Sequence, residues 1–302
     1  MPFMRVILKE VMSMLLTEKM KEDLFSPSEQ IIIDYMFEGR ETIGDKTTKQ
    51  IADETFTHPS TLIRIAKKLG FAGWLEFKDK FIEEIDYLNR HFKNIDANFP
   101  FNEDDNVTTI ASKMALLNQM TVEDTLSLID HDELNKAAEY LNNAEEVKVF
   151  AQSNNLLICH DFKSHMSRIG KKVNLCSVDQ GYEAASSNEK TCAIVMSYTG
   201  ETSHIINLLP MLRKRKTPII AFTSIGNNTL TQYADCIFRI TTREKLYSKI
   251  GSFSSNGSIS FLLDVLYGCV FSKEYQENLD YKISISKYYD HRKSSNKVME
   301  EE

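Results

Sequence analysis

The chain has 302 residues, 42% of them hydrophobic and 26% charged, and a formal net charge of −7. Length points to about two domains, and the apolar share to a globular chain that buries a substantial core. A negative total excludes a chain that is basic throughout, so any contact with nucleic acid has to be local.

The opening stretch MPFMRVILKEVMSMLL breaks at Lys9-Glu10 and lacks a small-residue cleavage site, so no secretory signal is expected. No run approaches the roughly 18 apolar residues of a membrane span, so no membrane partner is expected either. Residues 26–88 pattern as several short helices. SPSEQIIIDYMFEG sets Ser26 at an N-cap, Pro27 at the first helical position and Glu29 two residues on, a capping box. Ile31, Ile32, Tyr35 and Met36 form its expected apolar stripe.

In TTKQIADETFTHPSTLIRIAKKLGF, Ile51 and Ala52 pack one helix and Leu62 and Ile65 the next, with a break near Phe56-Thr57. That is helix-turn-helix spacing, the second helix starting near His58 with Pro59 at its first position. Phe56 stands where glycine is common in such turns. Ser60, Thr61 and Arg64 are expected at the front of the second helix, facing phosphates or base edges, followed by Lys67 and Lys68 as phosphate-contacting cations.

Residues 89–105 lose periodicity and read as a linker around Pro100 and an acidic cluster. Helical patterning resumes over Val107 to Ile129, then in DHDELNKAAEYLNNAE, with Asp130 or Asp132 as N-cap. From Glu146 onward, β-rich runs at 147–151, 172–176, 192–197, 218–223 and 236–240 alternate with helical segments at 155–169, 202–215 and 228–233. A long helix, about Ser255 to Phe271, closes the domain. Alternation of this kind predicts a parallel sheet covered by helices on both faces. The tail 286–302 is expected to be mobile. The five cysteines, Cys159, Cys176, Cys192, Cys236 and Cys269, are odd in number, contain no CxxC pair and lie mostly in apolar runs. They read as buried reduced thiols of a cytoplasmic protein.

The stretch STLIRIAKKLGFAGWLEFK resembles the signature of the RpiR-type regulators, roughly aTvvRfakkLGfxGfxefk. Thr61, Arg64, Lys67, Lys68, Leu69, Gly70, Phe71, Gly73, Phe77 and Lys78 match, and His58 replaces the usual serine. The resemblance covers roughly residues 10–285. It implies an all-α helix-turn-helix domain over 1–88, the linker, and a doubly wound, flavodoxin-like α/β sugar isomerase (SIS) domain over 106–285.

MSYTGETSHI is similar to the SIS pattern iSxSGeT, in which hydroxyls hold the phosphate of a phosphosugar. The resemblance carries that role to Ser197, Thr199, Gly200 and Thr202. A hydroxyl-rich loop between a parallel strand and a helix is a natural anion site in its own right. In the first loop, Ala151 and Ser153 replace the usual glycines, and Asn155 remains able to bond a ligand. Ser224, at the end of the fourth strand, is a third candidate wall, and Ser254, Ser255 and Asn256 read equally as ligand contacts or helix caps.

An isomerase needs a positioned base, and the closing helix offers only Asp264. His160, His165 and His204 read as surface or packing residues, and no metal or cofactor is expected. These readings converge on a non-enzymatic transcriptional regulator whose partners are operator DNA, a phosphosugar effector and a second copy of itself, as dimer or tetramer. Two alternatives stay open: a phosphosugar isomerase or lyase, and a regulator that has lost its effector.

Overall fold

The computed structural model describes residues 16–21, 25–39, 42–89, 95–292 and 298. The chain divides into two units, residues 1–120 with 225–229, and residues 121–224 with 230–302.

The first unit is helical: α1 (Leu16–Lys19), α2 (Pro27–Glu38), a 3-10 turn at Ile43–Asp45, α3 (Thr48–Glu54), α4 (Pro59–Lys68), α5 (Trp74–Asn89) and the first part of α6 (Val107–Ser127). Its core gathers Met20, Ile32, Ile33, Met36, Ile51, Leu62, Ile65, Phe77 and Phe81. Ile31, expected in the stripe of α2, is 51% exposed and Ile33 takes its place. Three successive isoleucines leave the register open, and the buried line Glu29, Ile32, Ile33, Met36 follows the helical period.

Caps close the short helices. Gln50 Oε1 accepts the Thr47 N–H at 2.8 Å while Thr47 Oγ1 accepts that of Gln50 at 3.2 Å. The N–H groups of Leu16 and Thr17, at the start of α1, bond the buried carboxylate of Glu84 on α5 at 2.8 and 2.7 Å. Four residues of helix are too few to persist alone, so this long-range cap positions α1.

The second unit continues with α7 (His131–Asn143), β1 (Glu146–Phe150), α8 (Ser153–Ser167), β2 (Val173–Leu175), α9 (Gln180–Ser186), β3 (Thr191–Met196), α10 (Ser203–Ile206), α11 (Leu209–Lys214), β4 (Ile219–Thr223), β5 (Cys236–Arg239), α12 (Phe253–Lys273) and α13 (Tyr275–Tyr289). The five strands are all parallel, in the order β2-β1-β3-β4-β5. On β3, Cys192, Ile194 and Met196 face a core with Phe162 of α8 and Leu262 and Leu266 of α12. Ala193 and Val195 face the opposite core with Ile205, Leu209 and Leu212. A strand buried on both faces reads as an unbroken apolar run, as this one does. Asp130 caps α7, its Oδ1 accepting the Asp132 and Glu133 N–H groups at 2.9 and 3.0 Å.

The expected helix over 202–215 is two pieces, α10 and α11, because Pro210 falls in the first turn of α11 and leaves no amide to continue the ladder. The expected helix over 228–233 is a 3-10 turn at Leu230–Gln232. Helix continues past Phe271 into α13, so the tail is helical as far as Tyr289. Among the described residues no helix is long and apolar enough to cross a membrane.

Candidate functional site

In the first unit, α3 ends at a turn in which Phe56 takes a φ of +50°. The Thr57 N–H reaches Ala52 O at 2.8 Å and the Phe56 N–H reaches Asp53 O at 3.3 Å. This is a Schellman cap, built on phenylalanine where glycine is the usual residue. His58 then caps α4, its Nδ1 accepting the Ser60 N–H at 3.3 Å and lying 2.8 Å from Ser60 Oγ. Histidine thus does the work of the expected serine. Gly70, at φ +91°, closes the helix with a second Schellman pair, the Phe71 N–H donating to Ala66 O at 2.9 Å.

Ser60, Arg64, Lys67 and Lys68 are exposed on α4. Thr61, expected at the front, is 5% exposed. It lies on the buried side of α4 with Leu62 and Ile65, and its Oγ1 lies 3.4 Å from Arg64 Nη2. No acid lies between His58 and Lys68 in sequence, but the fold supplies one. Glu29, on α2, is 2% exposed and sits 2.6 Å from Lys68 Nζ and 3.6 Å from Arg64 Nε. Its Oε2 also accepts the Ser26 N–H at 2.8 Å. Burial pushes this carboxyl up, but the Lys68 ammonium and the bonds from Ser26 outweigh burial and hold it below the usual value of 4.5.

In the second unit, the loops after β1 and β3 flank the point where the strand order reverses, the place where open α/β sheets bind ligands. The hydroxyls of the β3 loop are turned onto the loop itself. Ser197 Oγ accepts the Gly200 N–H at 3.1 Å and lies 2.8 Å from Thr202 Oγ1. Thr199 Oγ1 accepts the Glu201 N–H at 3.1 Å. Gly200, at φ +68°, supplies the reversal these bonds need. Of the two protons on Ser197 and Thr202, one joins the pair and the other stays available to an acceptor. Thr199 keeps its own proton as well.

Ser224 is held by its backbone, its N–H on Tyr198 O at 3.0 Å and its carbonyl on Arg239 Nη1 at 2.8 Å. Burial lowers the Arg239 guanidinium to about 10. Asn155, in the first turn of α8, is half-buried, and its carbonyl accepts the Cys159 thiol. Ala151 is fully buried at the end of β1.

Three residues of this region went unread in the sequence: Tyr198, Glu244 and Lys249. Glu244 accepts the N–H groups of Ser254 and Ser255 at 2.6 and 3.1 Å, the Ser255 hydroxyl at 2.8 Å and Lys249 Nζ at 2.9 Å. Ser254 and Ser255 are therefore α12 residues capped by Glu244 in this structure. The Tyr198 hydroxyl donates to Glu244 O at 3.0 Å, and burial pushes its phenol up to about 12. One tie thus joins the hydroxyl loop to the N-terminus of α12. Nothing in the aperiodic run REKLYSK signals it.

A cavity of about 910 Å³ opens beside this crevice at the ends of β1 and β2, lined by Gln152, Asn154, His160, Lys163, Ser177 and His204 among others. Asp264 lies away from the loop: it is exposed, and its carboxylate converges with Asp161 and His165. Asp161 and His165 are four apart on α8 with 3.6 Å between Oδ1 and Nε2, and His165 stacks on Tyr267 at 4.9 Å. The trio is a surface cluster of two carboxylates and one imidazole.

Comparison with known proteins adds two family models, a helix-turn-helix domain of the rpiR family matching residues 12–87 and a SIS domain matching residues 140–268. The chain is 24% identical over 277 residues to an uncharacterised HTH-type transcriptional regulator of Caldanaerobacter subterraneus subsp. tengcongensis, covering 90% of this chain and 95% of that one. It is 28% identical over 258 residues to another from Clostridium perfringens, covering 85% and 91%. Its fold is similar to that of the Vibrio vulnificus NanR protein complexed with ManNAc-6P, with a TM-score of 0.56 and 19% identity over 92% of this chain and 100% of that one.

Proposed function

We propose that this chain, which belongs to the RpiR-type regulators through its rpiR-family helix-turn-helix domain and its SIS domain, binds operator DNA with α4 and senses a phosphorylated sugar or amino sugar with the β3 loop. The observation that carries the sensing half is the loop Ser197–Thr202, whose hydroxyls are pre-set by their own bonds and still hold protons for a phosphate. Gly200 and Asn155 line the approach, with Ser224 on the far wall. Ser60, Arg64 and Lys67 form the DNA face, with Lys68 beside them. Paired half-sites require paired recognition helices about 34 Å apart, so the working form is a dimer or tetramer.

The reading is of a sensor and not an enzyme. Asp264 stands apart from the loop beside Asp161 and His165, Glu201 belongs to the iSxSGeT-like motif of the loop itself, and Glu244, tied to the loop through Tyr198, is engaged as the cap of α12 by four hydrogen bonds. The ManNAc-6P held by NanR supports a phosphosugar as the effector class. The buried Ala151 in place of a glycine favours a second reading, a regulator that binds DNA without an effector, and one experiment separates the two.

A panel of sugar phosphates is screened by thermal shift, and the best ligand is added to a titration of operator DNA. Ligand at 100 times Kd raises stability by about 2.7 kcal/mol, and the shift in DNA affinity corresponds to a coupling of about 1–3 kcal/mol. Ser197→Ala with Thr202→Ala removes the response while DNA binding without ligand is kept. An equal ligand effect in wild type and double variant places the effector elsewhere. A flat thermal-shift screen favours the effector-free regulator, and sustained turnover of any bound sugar phosphate overturns the sensor.

A further inference from the structure

The contacts of Glu29 divide the cations of α4 into two kinds. Lys68 is 43% exposed and lies 2.6 Å from the buried Glu29 Oε2, with Nζ also 5.8 Å from the centre of the Phe25 ring. Arg64 is 60% exposed, its Nε edge 3.6 Å from Glu29 Oε1 and its Nη2 3.4 Å from Thr61 Oγ1. A carboxylate 3.6 Å from Nε and a hydroxyl 3.4 Å from Nη2 narrow the orientations open to the guanidinium, leaving Nη1 and the second hydrogen of Nη2 for a base edge. Those two nitrogens form the fork that matches the O6 and N7 acceptors of guanine.

We propose that Glu29 is a positioning residue for DNA reading: it retains Lys68 as a structural partner and holds the Nε edge of Arg64, so that the fork meets a base edge already oriented. Lys68 is then not a phosphate contact, despite its place in the basic run, and Lys67 carries that role. The ordering of Arg64 is accomplished in the free protein, so less rotamer freedom is lost on the DNA. A carboxylate so near the DNA face also repels phosphate, which penalises a shifted register on non-cognate sequence.

The inference rests on α4 as the DNA-reading helix, so its test carries a control for that reading. The full chain is titrated against a duplex selected from a random library and against the unselected library, each over a series of salt concentrations. Arg64→Ala tests the helix: if it leaves both affinities unchanged, the helix assignment fails, whatever Glu29 does. Glu29→Gln keeps an acceptor for the capping box and removes the charge. It lowers the ratio of selected to unselected affinity by roughly tenfold, within what one lost bidentate contact costs, while unselected affinity holds or rises. Glu29→Asp, which withdraws the charge by one methylene, lowers the ratio too and serves if Glu29→Gln fails to fold. Lys68→Met leaves the salt slope unchanged, since no phosphate contact is lost. A Lys68→Met slope shallower by about 0.9 per contact, or an unchanged ratio in both Glu29 variants, overturns the proposal.

Discussion

Phe56 holds the turn between α3 and α4 at a φ of +50° with its ring 97% exposed. A side chain in that region costs about 1–2 kcal/mol, and an exposed ring recovers little of it by packing. Glycine removes the strain but adds about 0.4–1 kcal/mol of unfolded-chain entropy. Strain is the larger quantity, so Phe56→Gly stabilises the head by roughly 0.5–1 kcal/mol. The measurement is denaturant unfolding followed by fluorescence of Trp74, the one tryptophan of the chain, which lies in the same core. An unchanged or lower midpoint means that the exposed ring makes a stabilising contact after all. The turn itself is legible in the sequence, because the apolar pairs on either side fix where the helices stop. The conformation of Phe56 is not, since only the Ala52 and Asp53 carbonyls reveal it. Thr61 misleads for a related reason: its small polar side chain is compatible with either face of α4, and the helix phase set by Leu62 and Ile65 turns it inward.

At the level of elements, α2 and α4 are joined by one buried carboxylate. Glu29 has a lower pKa folded than its usual value of 4.5. The unfolded chain therefore binds its proton more readily, so the contribution of this group is fully present above 4.5 and is lost as pH falls through the folded value. Acid unfolding of the head, followed at Trp74, is expected to be less steep in Glu29→Gln: below 4.5 the variant loses less stability with each unit of acid than wild type. Parallel acid curves for the two chains contradict this role. The strands are the elements best read from sequence, because burial on both faces gives unbroken apolar runs such as CAIVM. The breaks are read worst. Pro210 splits a helix whose periodicity looks continuous, and α13 has too weak an apolar stripe to stand out from a tail. The candidate loop is legible as a motif, but its link to α12 depends on a tyrosine and a glutamate 46 positions apart.

Across the whole molecule, the cysteines report on the integrity of the sheet unit. Cys159, Cys176, Cys192 and Cys236 are buried and Cys269 is half-buried, all as free thiols. Burial pushes Cys159, Cys176 and Cys236 up to about 12 and Cys192 also upward. Thiolate, not thiol, is the reacting form. In native protein at neutral pH, iodoacetamide is expected to modify Cys269 first and slowly, and the other four only on unfolding. Rapid native labelling of Cys192, in the central region of the sheet, means that the sheet opens more readily than its packing implies. If the effector binds the β3 loop as proposed, adding it slows the labelling further by mass action.

The helical head and the sheet differ in how far along the chain their contacts reach. The core of the head is drawn from residues 16–85. In the sheet, β1 pairs on one side with β2 and on the other with β3, as Val147 does with Val173 and Cys192, and β3 in turn awaits β4. During synthesis the head has all of its core partners before the first strand has left the ribosome, whereas β1 spends the time needed to make some forty further residues with one edge unpaired. The parallel sheet is thus the slow and exposed stage in the birth of this protein, and the place where a chaperone has something to hold.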